Sequence, residues 1–154
     1  MEIEPEQLSS GAERRFRVLL VDDNLELLAA VRFALLDDYL IETATSAEDA
    51  LERIDQLAQR GLPDCMVIDV KMPGLNGVQL VRILRGDPTT AQIPLIILSA
   101  YVQGEDILRG QLAGVDRYLA KPFDLEVLID AIQQATRMTP EQRLARLRAF
   151  LDDP

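Results

Sequence analysis

Five short apolar runs, at 17–22, 39–44, 64–69, 94–99 and 115–120, alternate with longer segments whose apolar residues recur at helical spacing. That alternation suits a parallel sheet wrapped by helices, since parallel strands need crossover connections long enough to hold a helix. Helix starts stand where capping demands them: Asn24, Ser46 and Asp124 occupy N-cap positions. Ser46 has Asp49 three residues on as a capping-box partner, and Asn76 pairs similarly with Gln79. Leu51, Ile54, Leu57 and Ala58 form one apolar stripe, and Leu125, Leu128, Ile129 and Ile132 another; both read as core faces. Loops are marked by Gly61-Leu62-Pro63, Met72-Pro73-Gly74 and Asp87-Pro88, with Pro94 after it. The expected fold class is α/β, a doubly wound five-stranded parallel sheet with five helices. Right-handed crossovers leave it few topologies.

Composition excludes several kinds of chemistry. A chain of 154 residues, 48% hydrophobic and 27% charged, suits one globular domain preceded by a polar arm at 1–15. No apolar run is long enough for a membrane span and "MEIEPEQLSS" lacks a signal pattern, so the expected location is cytoplasmic, without a membrane partner. A net charge of −10 opposes direct nucleic-acid binding, which runs on neutralising phosphates with Lys and Arg. Histidine is absent, so acid–base or phosphoryl chemistry falls to carboxylates, Lys, Ser or Tyr. Cys65, the single cysteine, sits in "CMVI" and is expected to be a small buried hydrophobe.

In a sheet of this class the polar site lies beyond the carboxyl ends of the strands, at the switch point in strand order. Strand one ends on Asp22-Asp23, strand three on Asp69, strand four on Ser99 and strand five on Lys121-Pro122. A lone polar residue there is an ordinary solvated terminus; four of five strands ending so is a pattern. Two unit charges about 4 Å apart repel by roughly 4 kcal/mol in a partly shielded site. Three carboxylates at one rim therefore call for a cation. Mg²⁺ suits them, being hard, oxygen-seeking and content with one or two carboxylates plus waters and phosphate oxygens. Lys71 and Lys121 are the two lysines among 16 basic residues, and a compact ammonium can follow a phosphoryl oxygen that a guanidinium would crowd. Ser99 adds a hydroxyl for such oxygens or, equally well, ties down a strand end.

These residues resemble the response-regulator receiver domains. "VLLVDD" at the first strand, "DVKMPG" from Asp69, "SA" at 99–100 and "KPF" at 121–123 match that family's motifs in order and interval, over about residues 16–137. The resemblance implies the flavodoxin-like strand order 2-1-3-4-5. It further implies that Asp69 takes a phosphoryl group from a sensor histidine kinase or phosphotransfer protein, the chain being no enzyme beyond its own phosphorylation and dephosphorylation. Asp23, Asp69 and the backbone carbonyl of Lys71 would hold Mg²⁺ directly and Asp22 through water, while Ser99 and Lys121 bind the phosphoryl oxygens. Ser99 and Tyr118 would form a switch that changes a surface read by a downstream protein, and Lys121-Pro122 would be cis. Tyr118 as plain packing is an equal alternative. Tyr101, two residues after Ser99, is expected to screen the acyl phosphate from water.

Beyond residue 137, "MTPEQRLARLRAFLDDP" carries Thr139 at N-cap, Pro140 at N1 and Gln142 at N3, with Leu144, Leu147, Phe150 and Leu151 as a stripe. A further helix is expected at 138–154, either capping the domain or serving to make a homodimer or dock a partner. No DNA-binding output domain fits in the remaining length, so the output expected is a protein contact, a relay step or a domain outside this sequence. Rival readings fare worse. A nucleotide-binding enzyme needs a glycine-rich loop where Asp23-Asn24-Leu25 stands, and an aspartate-nucleophile phosphatase normally has a second Asp at the position of Lys71. A phosphorylation-independent pseudo-receiver would lack Asp23, Asp69 or Lys121; all are present, and that alternative stays open at this point.

Overall fold

The computed structural model describes residues 15–71, 76–100 and 114–137, together with the isolated positions 141 and 148. Five strands, β1 (Arg17–Val21), β2 (Leu40–Ala44), β3 (Cys65–Asp69), β4 (Leu95–Ser99) and β5 (Arg117–Ala120), form one sheet in the order β2-β1-β3-β4-β5. All four pairings are parallel, with Val21 opposite Ala44 and Ile68, and Asp69 opposite Leu98. The described helices are α1 (Leu25–Leu35), α2 (Ala47–Leu57), α3 (Gly77–Gly86) and α4 (Leu125–Arg137). The helix expected between β4 and β5, the one expected at 138–154 apart from positions 141 and 148, and the arm apart from Arg15 lie outside the described residues. Among the described residues no helix is long and apolar enough to cross a membrane.

The unbroken apolar runs follow from burial on both faces of the sheet. Leu19, Met66, Ile68, Leu95 and Ile97 face a core shared with α2 and α3. Their neighbours Val18, Leu20, Val67, Ile96 and Leu98 face a second core shared with α1 and α4. Cys65 belongs to that second core and is fully buried, as its apolar setting predicts. Each such side chain withdrawn from water contributes about 1.5–3 kcal/mol. The strands thereby fix where every chain segment turns.

Boundaries shift for local reasons. Pro94 has no N–H and supplies only its carbonyl, which accepts from Met66 N–H at 2.9 Å, so β4 starts at Leu95. The fifth strand begins at Arg117 because Gly114, at φ 96°, turns the chain and Asp116 uses its carboxylate on Leu95 N–H. Asn76 and Gln79 make the full reciprocal capping box. Ser46 caps Asp49 N–H at 3.0 Å, but the Asp49 carboxylate returns to Thr45 N–H at 3.1 Å, one residue short of a box with Ser46. α2 ends at Leu57, leaving Ala58 exposed, and Leu125 at the rim of α4 is partly exposed; Ala131 and Ala135 complete the buried face instead.

Candidate functional site

The apolar run of β1 stops at Asp22, whose backbone N–H still joins the sheet through Ala44 O at 3.1 Å. Its side chain turns to two donors: Oδ1 accepts from Asn24 N–H at 2.9 Å and Oδ2 from Lys121 Nζ at 3.0 Å. Asn24 also caps α1, accepting from Glu26 and Leu27 N–H. One residue thus ties the rim carboxylate to the start of a helix. Asp23 follows and is exposed. β3 ends on Asp69, whose Oδ1 accepts from Lys71 N–H at 3.2 Å and whose Oδ2 lies 3.4 Å from Lys121 Nζ. Lys121 is set by Ser99, whose carbonyl accepts Lys121 N–H at 2.7 Å, and the Lys121-Pro122 bond is cis.

Asp22, Asp23 and Asp69 each offer a carboxylate oxygen within 4.8 Å of the others. Asp22 is 2% exposed and Asp69 5%, so two of three charges sit away from water. Burial, then the charge of Asp22, push Asp69 above the usual carboxylate value of 3.8; Lys121 and the Lys71 N–H pull the other way without cancelling them. Burial draws the Lys121 ammonium down, but its hydrogen bond to Asp22 and the charges of Asp69 and Asp22 outweigh that and leave it above 10.5. With all four groups ionised, three negative charges face one positive. A second cation fits that imbalance, and the all-oxygen donor set favours a hard divalent ion such as Mg²⁺.

The structure brings Asp22, Asp23, Asp69 and Lys121 to one rim, as the ends of the apolar runs imply. Ser99 ends β4 beside the strand of Asp69 and is buried. Lys71 directs its N–H at the Asp69 carboxylate, while its residue as a whole is exposed. Tyr118 is partly buried against the core under α2 and α3. Tyr101 lies outside the described residues. Sequence reasoning missed the Asn24–Asp22 turn, although an Asp followed two residues on by a backbone donor is its signal.

A five-stranded doubly wound sheet with an acidic rim and an apposed lysine at its switch point defines a receiver-type module. The chain matches the response regulator receiver domain over residues 18–133 and belongs to that family. It is 40% identical over 128 residues to a gliding motility regulatory protein of Myxococcus xanthus, covering 81% of this chain and 16% of that protein. Response regulator PleD of Caulobacter vibrioides is 36% identical over 124 residues, with 79% and 26% covered. Response regulator MprA of Mycobacterium tuberculosis is 35% identical over 135 residues, with 87% and 56% covered. The chain therefore spans only 16–56% of the length of these relatives. Among solved structures, the chemotaxis response regulator CheY4 of Vibrio cholerae superposes with a TM-score of 0.68 at 30% identity, covering 79% of this chain and 98% of that one. The strand order is that of this fold, and the family places the chain in two-component signalling.

Proposed function

We propose that Asp69 is the phosphoryl acceptor of a two-component or phosphorelay pathway and that its state is read by a downstream protein. The observation that carries this is the buried Asp69 carboxylate held between a lysine and two further acids. Asp23, Asp69 and the Lys71 carbonyl would hold Mg²⁺, with Asp22 acting through water; when bound, the ion offsets charge on the phosphoryl oxygens. Asp69 supplies an oxygen lone pair that forms the new O–P bond. With a phosphohistidine on the sensor kinase or phosphotransfer protein as donor, the P–N bond breaks and its electron pair stays on the imidazole, which is neutral after taking a proton. Lys121, already drawn between Asp22 and Asp69, turns its ammonium to the incoming phosphoryl oxygens, and the Ser99 hydroxyl donates to the same group.

The acyl phosphate carries roughly −1.5 to −2 charge, by analogy with phosphorylated hydroxyls, in place of the single charge of the Asp69 carboxylate, so the rim gains up to about −1. Ser99 moving toward it and Tyr118 turning inward would remodel the surface around β4 and β5. Residues 16–137 form the receiver on this reading, with 1–15 an arm and 138–154 a helical extension that caps the domain or pairs two copies. The test is incubation with acetyl phosphate or beryllofluoride plus Mg²⁺, followed by intact mass and size measurement. Wild type is expected to gain one phosphoryl group from acetyl phosphate and Asp69→Asn none. A wild type that stays unlabelled with every small-molecule donor and with a cognate kinase overturns the assignment.

A further inference from the structure

Helix α3 begins not beside the acceptor but on top of its backbone. Gly77, its first residue, is buried and donates its N–H to Val70 O at 3.1 Å. A Cβ built on Gly77 would lie 2.6 Å from the Asp69 carbonyl oxygen, 2.7 Å from Val70 Cα and 3.2 Å from the Asp69 carbonyl carbon. Real Cβ atoms essentially never come under 3.0 Å, and the atoms met are backbone rather than the yielding end of a side chain. Something has to move if a methyl is added. α3 is the stiffer partner: Leu80, Val81 and Leu84 are buried, its N-terminus carries the Asn76–Gln79 box, and Arg85 anchors its last turn to the Ala91 and Ile93 carbonyls. The acceptor segment is held less. Pairing of β3 with β1 ends at Ile68, so beyond it, among the described residues, Val70 is tied to the sheet by one backbone bond, its N–H to Leu98 O at 3.0 Å, and otherwise to Gly77 itself.

We infer that Gly77 is a positioning residue: its missing side chain lets α3 seat on the Asp69–Val70 peptide and so sets where the acceptor carboxylate and the Lys71 carbonyl stand. This rests on the reading of Asp69 as acceptor. Moving that peptide to relieve a methyl displaces the reacting group by a few tenths of an ångström to about 1 Å, and misplacement on that scale costs up to about a hundredfold in rate.

The experiment compares Gly77→Ala with Gly86→Ala, a control in the same helix where an added Cβ meets nothing within 4 Å. Labelling by acetyl phosphate is followed against Mg²⁺ concentration, with circular dichroism reporting the fold. Gly77→Ala is expected to be folded, to label tenfold to a hundredfold more slowly at saturating Mg²⁺, and to need more Mg²⁺ for half-maximal labelling. Gly86→Ala is expected to match wild type in both. If Gly77→Ala melts at the assay temperature, the comparison is made in trimethylamine oxide at equal folded fraction. Wild-type rate and Mg²⁺ midpoint in folded Gly77→Ala overturn the inference, since a merely structural glycine lowers only the melting temperature. So does equal slowing in both variants, or a Gly77→Ala that never folds, because the strain then does not pass to the acceptor segment. Where wild type labels only with another donor, that donor is used for the comparison; a wild type that labels with no small-molecule donor and no cognate kinase shows instead that the acceptor reading itself is wrong, and the inference falls with it.

Discussion

The two ends of the sheet both bury ionic groups, yet they are built on opposite terms. At the amino ends of the strands, Asp116 accepts from Leu95 N–H at 2.7 Å and pairs with Arg85 at 3.4 Å. Arg85 spends its remaining donors on the carbonyls of Gly114, Ala91 and Ile93, at 3.0, 3.0 and 2.8 Å. Among the described residues one acid meets one base, and further donors of that base meet backbone acceptors. At the carboxyl ends, among the described residues, the three acids Asp22, Asp23 and Asp69 cluster about one ammonium, that of Lys121, which pairs with Asp22 and Asp69. Hydrogen bonding alone does not separate the two: among the described residues no buried side-chain nitrogen or oxygen lacks a partner. Charge balance does. A neutral, saturated cluster is a structural staple; a saturated cluster with surplus negative charge suits a cation.

The largest effect that would break this comparison is at the balanced end. Arg85→Ala removes three carbonyl contacts and the ion pair with Asp116, whose side chain is 4% exposed. A loss of about 3 kcal/mol is expected, as for breaking a buried ion pair. At roughly 2–4 °C per kcal/mol for a chain of this size, the melting temperature drops by about 6–12 °C, with or without Mg²⁺. A drop that Mg²⁺ fully restores would mean that the two ends are not independent.

How legible each end was from the sequence follows from the same contrast. Asp22, Asp69, Ser99 and Lys121 announce themselves because each interrupts an apolar run at its carboxyl end, and parallel topology then gathers those ends on one rim. Asn76 and Gln79 are legible because a capping box is a local pattern. Arg85 is not. In sequence it is one more charge on a helix, and its partners at 91, 93, 114 and 116 become neighbours only once β4 and β5 have paired. Gly77 is hidden for a related reason: the "NG" at 76–77 reads as a cap, while the contact with Asp69 depends on the path by which the chain returns over its own strand. The misplaced stripe members, Ala58 and Leu125, stand at helix ends, where period alone does not say whether the last turn is covered.

At the surplus end the expected sign is reversed. Asp69→Asn keeps the shape and removes one of three negative charges, while Lys121 retains its 3.0 Å bond to Asp22. The variant is expected to be more stable than wild type without Mg²⁺ at neutral pH, by about 1 kcal/mol, because the relieved repulsion and desolvation are partly offset by the lost Lys121 contact. It is also expected to lose most of the thermal stabilisation that Mg²⁺ gives wild type. Equal melting of the wild type with and without Mg²⁺ would count against surplus charge as a metal site.

The pH dependence of that difference is the finest of these tests, because it assigns the penalty to ionisation rather than to shape. Burial and Asp22 raise the folded-state pKa of Asp69 above the 3.8 of an unperturbed aspartate. Below 3.8 the carboxyl is protonated in both folded and unfolded chains, so it carries no charge penalty and the wild-type fold is at no disadvantage. As pH climbs from 3.8 through the higher folded value, the unfolded chain releases its proton more readily than the folded one, and wild-type stability declines relative to the variant. Beyond the folded value the difference is constant. Melting curves in EDTA should therefore show Asp69→Asn and wild type converging in acid and separating toward neutrality; a gap that is equally wide at both would place the effect in packing. Lys121 gives the complementary arm. Its raised pKa contributes stability in full below 10.5, lost as pH rises through the folded value, so Lys121→Met should abolish that part of the alkaline decline.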